Sequence, residues 1–200
     1  MQTFINHARL FPQRIGAHAE RFAALARGQQ PTVMFVSCSD SRVMPALFTG
    51  AGPGDIFELR TAGNIVPPSG TSGDYAIAAT LEYAVEVLGV TDLVICGHTH
   101  CGAVRALTDP SSLTRLPFVQ RWLQHAAAEL TTTGPWADDC GRMQAAAEQH
   151  LVRQLAHAQT YPFIERRLAA GTLRLHGWLY AIDTGHMTQF RGEDGRFEAL

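Results

Sequence analysis

Two short runs carry most of the reactive side chains of this 200-residue chain: CSDSR at 38–42 and GHTHC at 97–101. Each follows an apolar run, PTVMFVSC and TDLVICG, with the length and β-branched content of a buried strand. In open α/β sheets, ligands bind beyond the carboxyl ends of the strands. If these two strands are neighbours, the sulfurs of Cys38 and Cys101 and the imidazole of His98 converge. Two thiolates and one imidazole make a catalytic zinc set, with three protein ligands and one open position. Taken singly, the residues say less. Cys38 alone reads as a core thiol, because cysteine is among the most buried residue types. The His98/Cys101 pair alone reads equally as ligand or as filler.

Asp40 and Arg42 add the second half of the chemistry. They lie two apart around a turn residue, so their side chains can meet. A free carboxylate beside a zinc thiolate could itself bind the metal and close the site. An arginine fork holding that carboxylate keeps it off the metal, ionised and acceptor-only, able to take a hydrogen bond from a zinc-bound water. The plain alternative is a surface salt bridge. Cys96 lies within a strand and is expected in the core, and Cys140 sits at a loop–helix junction. His100 has the wrong offset to share a metal with His98 and Cys101, so an exposed or supporting place is expected for it.

The elements that must position these residues can be read from hydrophobic spacing. RIGAHAERFAALAR, 14–27, has helical period and stops at Gly28. DIFELR at 55–60 reads as a strand after the turn-rich GAGPGD, whose spacing and Pro53 rule out a dinucleotide fingerprint. DYAIAATLEYAVEVLG reads as a helix with Ile77, Leu81, Ala84, Val85 and Leu88 on one face. Further helices are predicted after Gly102, near 113–131, at 140–158 and at 161–170. LRLHGWLYAIDT, a turn at Asp183–Gly185 and HMTQFRG predict a closing strand and hairpin. Strands alternating with helices define an α/β domain around a mostly parallel sheet flanked by helices.

Composition limits the partners. The formal net charge is −2 and no basic block occurs, which argues against nucleic acid. All sixteen basic residues are arginine, so lysine Schiff-base chemistry is excluded. MQTFINHARLFPQR has no apolar secretory core, and no run reaches the length of a membrane span. A cytoplasmic location with reduced thiols, and no membrane insertion, is therefore expected.

With these residues in view, CSDSRV followed by GHTHCGAV resembles the zinc motif of the β-class carbonic anhydrases, Cys-x-Asp-x-Arg with His-x-x-Cys. The likeness runs over about residues 25 to 190 and includes GQQP, PGDIFELRTAGNIV, LEYAV, TYPFI and LHGWLY. The resemblance implies one Zn²⁺ per chain on Cys38, His98 and Cys101, with Asp40 and Arg42 as the catalytic dyad. It implies a substrate site of Gln29, Phe57, Ala62, Gly63, Tyr83 and Gly102. In that site Gln29 binds substrate, Phe57 and Tyr83 wall an apolar pocket shared with a neighbouring subunit, and Ala62–Gly63 form a small-residue floor. The implied activity is reversible hydration of carbon dioxide to bicarbonate and a proton by zinc-bound hydroxide, a lyase reaction. The implied assembly is a homodimer or a tetramer of dimers. One β-carbonic anhydrase-like domain, 1–200, is expected, with an N-terminal helical arm (1–28) exchanged in the dimer and a zinc-binding α/β core (31–192).

Some bacterial members carry a regulatory bicarbonate pocket of Trp, Arg and Tyr. Arg60 and Tyr180 match two of its positions, but Phe35 stands at the Trp position. The plant-like Gln29 accompanies this departure, so an open site without that switch is expected. Rival readings are a carbon disulfide or carbonyl sulfide hydrolase on the same metal, a structural zinc or redox protein, and a bicarbonate-sensing module without turnover. His100, near the rim, is a candidate proton shuttle.

Overall fold

The two apolar runs that end in Cys38 and His98 are adjacent parallel strands, β1 (Val33–Cys38) and β3 (Asp92–His98), in register Val33↔Asp92 to Ser37↔Cys96. The computed structural model describes residues 1–73, 75–126, 130, 138–192 and 194–200. Met1–Gln30 and Pro31–Leu200 form separate compact units. In the second unit the strand order is β2-β1-β3-β4-β5-β6, with β2 Ile56–Thr61, β4 Arg174–Tyr180, β5 Met187–Arg191 and β6 Arg196–Ala199. The first four strands are parallel, and β5 and β6 run antiparallel at one edge. Met34, Phe35 and Val36 are all buried, which is why β1 reads as an unbroken apolar run. Met34 and Val36 face the main helix-packed core, and Phe35 faces a second cluster with Phe48 of the connection to β2 and Trp178 and Tyr180 of β4.

The predicted strands, the hairpin and the parallel α/β class match the structure. The sixth strand, RFEA, was not predicted; only its Phe197 is half-buried, so it carries no periodic signal. Several helices also differ. In the first unit, the expected 14–27 helix is instead α1 (Gln2–Arg14), a 3₁₀ turn at Gly16–His18 and α2 (Ala19–Leu25). Gly16 favours the break, and α1 has no buried residue, hence no core-facing stripe to read. In the second unit, the expected 113–131 helix reduces to α6 (Pro117–Leu123) after a 3₁₀ turn at Pro110–Leu113. Pro117, lacking an N–H, begins α6 at its first turn. Residues 127–129 and 131 of that expected helix lie outside the described residues. The helix read across 75–88 is α4 (Tyr75–Glu82) continued by a wider π turn, Tyr83–Val87. Its expected face holds nonetheless: Leu81, Ala84 and Val85 are buried, with Ile77 and Leu88 packed beside them.

The short α3 (Pro45–Thr49) connects β1 to β2; α5 (Gly102–Thr108), α6, α7 (Asp139–Gln159) and α8 (Pro162–Ala169) fill the crossover from β3 to β4. Helix α7 lies close on the sheet, and glycine permits the approach. A Cβ on Gly177 of β4 would sit 2.7 Å from Leu155 Cδ1 and 3.3 Å from Phe190 Cβ.

At the amino end of the sheet, Asp92 accepts from Arg174 Nε (2.7 Å) and Nη2 (2.6 Å), from Thr91 Oγ1 (2.8 Å) and from His176 Nε2 (2.8 Å). The Arg174 fork is the main reason the Asp92 pKa falls to about 2, with burial opposing it. A depressed carboxyl stabilises the fold above its unfolded pKa and loses that contribution as pH falls through the folded value. Asp92→Asn is expected to lose about 1–2 kcal/mol near neutrality after allowance for solvent screening. Urea midpoints between pH 5 and pH 2 should fall more steeply for the wild type than for the variant; parallel curves would refute the assignment.

Candidate metal centre

Strand β1 lies between β2 and β3, so the crossovers leave it in opposite directions, which makes the carboxyl ends of β1 and β3 a topological switch point, where open α/β sheets bind their ligands. Cys38 ends β1, His98 ends β3, and Cys101 is the residue before α5. Their ligand atoms lie within 4.8 Å of one another, and all three residues are buried. His98 Nδ1 stands 2.8 Å from the Thr99 carbonyl, which can only accept, so the proton is on Nδ1. That leaves Nε2 as a bare lone pair, buried and without a hydrogen-bond partner. An orphaned acceptor beside two sulfurs fits a metal ion.

Cys38 Sγ accepts from the backbone N–H groups of Asp40 (3.4 Å) and Gly63 (3.3 Å). A hydrogen bond from Cys101 is the largest influence holding the Cys38 thiol well below its ordinary range, with burial opposing and the two backbone N–H groups adding to it. Cys101 is pushed the other way, first by that same bond and then by burial. The pair therefore concentrates negative charge on Cys38, and a divalent cation can take the place of the shared proton.

The Asp40 carboxylate is not part of this cluster. Its Oδ1 accepts from Arg42 N (3.0 Å) and Nε (2.9 Å), and its Oδ2 accepts from Nη2 (2.7 Å). Arg42 Nη2 also donates to the His100 carbonyl (3.2 Å), tying the two motifs together. The Arg42 hydrogen bonds hold the Asp40 pKa well below the usual carboxylate range despite some burial. Arg60 donates to the carbonyls of Cys38, Asp40 and Val43 (2.7–3.2 Å), which staples the turn carrying Asp40. Phe35 packs against Phe48 and Trp178, and Phe48 against Tyr180. The positions matching a regulatory anion pocket are thus occupied by a loop staple and an aromatic cluster.

Among the remaining predicted residues, Phe57 and Tyr83 meet with ring centroids 6.0 Å apart, and Tyr83 is 43% exposed. Ala62 and Gly63 follow β2 directly, and Gly102 opens α5 next to Cys101. Gln29 belongs to the first unit. His100 is exposed with φ 56°, Cys96 is buried among Phe35 and Val94, and Cys140 is exposed at the start of α7.

Sequence reasoning missed Trp122 and His150. Trp122 Nε1 donates to the Ala62 carbonyl (2.8 Å), and His150 Nε2 reaches the Gly63 carbonyl (2.7 Å). Burial is the main cause that pushes the His150 pKa down to about 4, so its imidazole is neutral. The available signal was polar: His150 and Gln154 interrupt the otherwise apolar buried face of α7. A buried polar side chain must be bonding something.

Gly63 itself tolerates no side chain. Its φ is +75°, and a Cβ would lie 2.6 Å from Ala103 Cβ. Gly63→Ala is expected to cost about 2–4 kcal/mol from backbone strain and overpacking. Urea unfolding measures it; a midpoint equal to the wild type would contradict this packing.

A parallel sheet with a buried sulfur–imidazole trio at its switch point and an arginine-locked carboxylate beside it defines an α/β protein with a candidate metal centre. A profile of the carbonic anhydrase family matches residues 33–187. The chain is 41% identical to a carbonic anhydrase of Pseudomonas aeruginosa over 186 residues, covering 92% of this chain and 84% of that one. It is 38% identical to a carbonic anhydrase of Synechocystis, covering 88% of this chain and 65% of the relative's length. Among solved structures, the β-carbonic anhydrase CcaA superposes with TM-score 0.93 at 36% identity, covering 100% of this chain and 99% of that one. A tetrameric β-carbonic anhydrase of Sordaria macrospora gives TM-score 0.79 at 28% identity, with both chains fully covered (100%). The chain belongs to the carbonic anhydrase family, in its β class.

Proposed function

We propose that this chain binds one Zn²⁺ through Cys38, His98 and Cys101 and catalyses the reversible hydration of carbon dioxide to bicarbonate and a proton. The observation that carries the reading is the convergence of those three donors within 4.8 Å, with His98 Nε2 buried and unpartnered. Mixed sulfur and nitrogen donors suit zinc, and three of them leave a fourth position open. A zinc ion there supplies an acidic water, with a pKa near ~7 in place of ~15.7 in bulk.

The chain's own residues do the rest. Asp40 Oδ1 is saturated by two Arg42 bonds, whereas Oδ2 takes one and keeps an acceptor position for a water O–H. Because its pKa is depressed, Asp40 stays ionised throughout the working range and orients the nucleophile without adding a limb of its own to the pH profile. Arg42 and Arg60 hold Asp40 off the metal. Phe57 and Tyr83 exclude water from one side of the substrate, and Ala62, Gly63 and Gly102 leave room for a small molecule. His100 lies exposed at the rim, where it can pass the released proton to buffer. The Arg60 staple and the Phe35–Trp178–Phe48–Tyr180 cluster support an open site without bicarbonate switching.

The reading includes a homo-oligomer, a dimer or a tetramer of dimers, with the N-terminal arm exchanged. Phe4, Ile5, Leu10 and Phe11 of α1 are exposed apolar residues suited to a partner surface. No helix among the described residues is long and apolar enough to cross a membrane, and a cytoplasmic location is part of the proposal.

The test is stopped-flow carbon dioxide hydration with a pH indicator on protein of known zinc content. Fast turnover at one zinc per chain supports the reading. A zinc-loaded protein inert toward carbon dioxide but active on carbon disulfide or carbonyl sulfide reassigns the substrate. Inertness toward all three leaves bicarbonate sensing, read by direct binding.

A further inference from the structure

Gly63 is gripped through both of its peptide units. The unit on its amino side contains the Ala62 carbonyl and the Gly63 N–H. Trp122 Nε1 donates to that carbonyl (2.8 Å), and the N–H donates to Cys38 Sγ (3.3 Å). The unit on its carboxyl side presents the Gly63 carbonyl to His150 Nε2 (2.7 Å). Gly63 lies at φ +75° with Ala103 against its Cα, so the two peptide planes can take this arrangement without a side chain between them. One holding residue comes from α6 and the other from α7, both far in sequence from β1.

We infer that Trp122 and His150 are positioning residues for the metal centre, acting through Gly63 to aim and polarise the N–H that bonds the Cys38 sulfur. The inference rests on Cys38 being a metal ligand. A hydrogen bond accepted by a peptide carbonyl makes the N–H of that same peptide a stronger donor, by about 10–30% per bond in condensed-phase estimates. An N–H donated to a ligating thiolate withdraws charge from the sulfur and weakens its donation to the metal. Trp122 thus acts on Cys38 electronically through one peptide unit, and His150 acts by fixing the orientation of the next. In β-class chemistry two thiolates make the bound water less acidic than three imidazoles would, so a residue that trims sulfur charge favours deprotonation of that water.

The test uses protein loaded with Co²⁺, whose sulfur-to-cobalt charge-transfer band reports the electron richness of the thiolates. Trp122→Phe keeps an aromatic ring against Ile65, Ala106 and Leu123 while removing the N–H. His150→Phe removes the second donor. At one cobalt per chain, both variants are expected to move the band to longer wavelength, because sulfur relieved of its hydrogen bond gives up an electron more easily. Destabilisation alone leaves the band of the folded, loaded protein where it was. Bands that coincide with the wild type overturn the inference. Should His150→Phe fail to fold, Trp122→Phe decides by itself, since Trp122 is only half-buried. A wild type that binds cobalt with no such band overturns the metal-centre reading instead, and the clamp with it.

Discussion

Replacing Asp40 by Ala is expected to lower carbon dioxide hydration by about a hundred-fold or more while zinc content stays at the wild-type level. The first half follows from what Asp40 is positioned to do. Its carboxylate is anchored at three points by Arg42, is ionised at every working pH, and retains one free acceptor position on Oδ2. A nucleophilic water with that acceptor has one O–H direction determined, and its lone pair is then presented to the substrate. Alanine removes the acceptor and leaves the water free to rotate. The second half follows from geometry, since Asp40 is outside the donor cluster. Asp40→Asn is expected to fall nearly as far: the amide keeps the size, but its nitrogen meets the Arg42 fork donor to donor. Stopped-flow rates with zinc measured on the same samples check both statements. Loss of zinc in Asp40→Ala would show that the carboxylate belongs to the metal sphere, and retained turnover would remove it from the mechanism.

Loss of a donor should be more severe still. Cys101→Ser and His98→Ala are expected to bind zinc more than about 100-fold more weakly, since even the outer partners of metal ligands are worth 10–100-fold, and turnover should fall to background. The reason is as much folding as coordination. Two buried sulfurs that share a proton and a buried imidazole nitrogen with no partner are costly to keep together unless a cation neutralises them. Zinc at a thousand-fold excess over its dissociation constant adds about 4 kcal/mol of stability. A chelator should therefore lower the thermal midpoint of the wild type markedly and leave those of the two variants almost unmoved. Full zinc occupancy and normal turnover in Cys101→Ser would contradict the centre described here.

The local chemistry of the centre was legible in the chain because it is local. Cys38, Asp40 and Arg42 lie within five residues, and His98 and Cys101 within four, each set directly after a buried apolar strand. Apolar runs bounded by turns, and helices with a one-sided stripe, could be read for the same reason, because each element's own period records which face is covered. Where no face is covered, as along α1, or where a strand is short and exposed, as in β6, periodicity had nothing to record. Proline and the π turn acted differently on the regular period: at Pro117 the expected helix overran the start of α6, whereas the π turn at Tyr83–Val87 changed the winding and left both the bounds and the buried face as read.

Sequence by itself thus determined which residues carry the chemistry and that a parallel α/β sheet must present them. Only the tertiary structure decided that β1 and β3 are neighbours at the switch point, that Arg42 reaches the His100 carbonyl, and that Trp122 and His150 hold Gly63 against Cys38. These are contacts between groups 58 to 87 residues apart, many of them to backbone atoms common to every residue type. A backbone carbonyl leaves no mark in a sequence; what its partner is depends on where the crossovers bring the chain back.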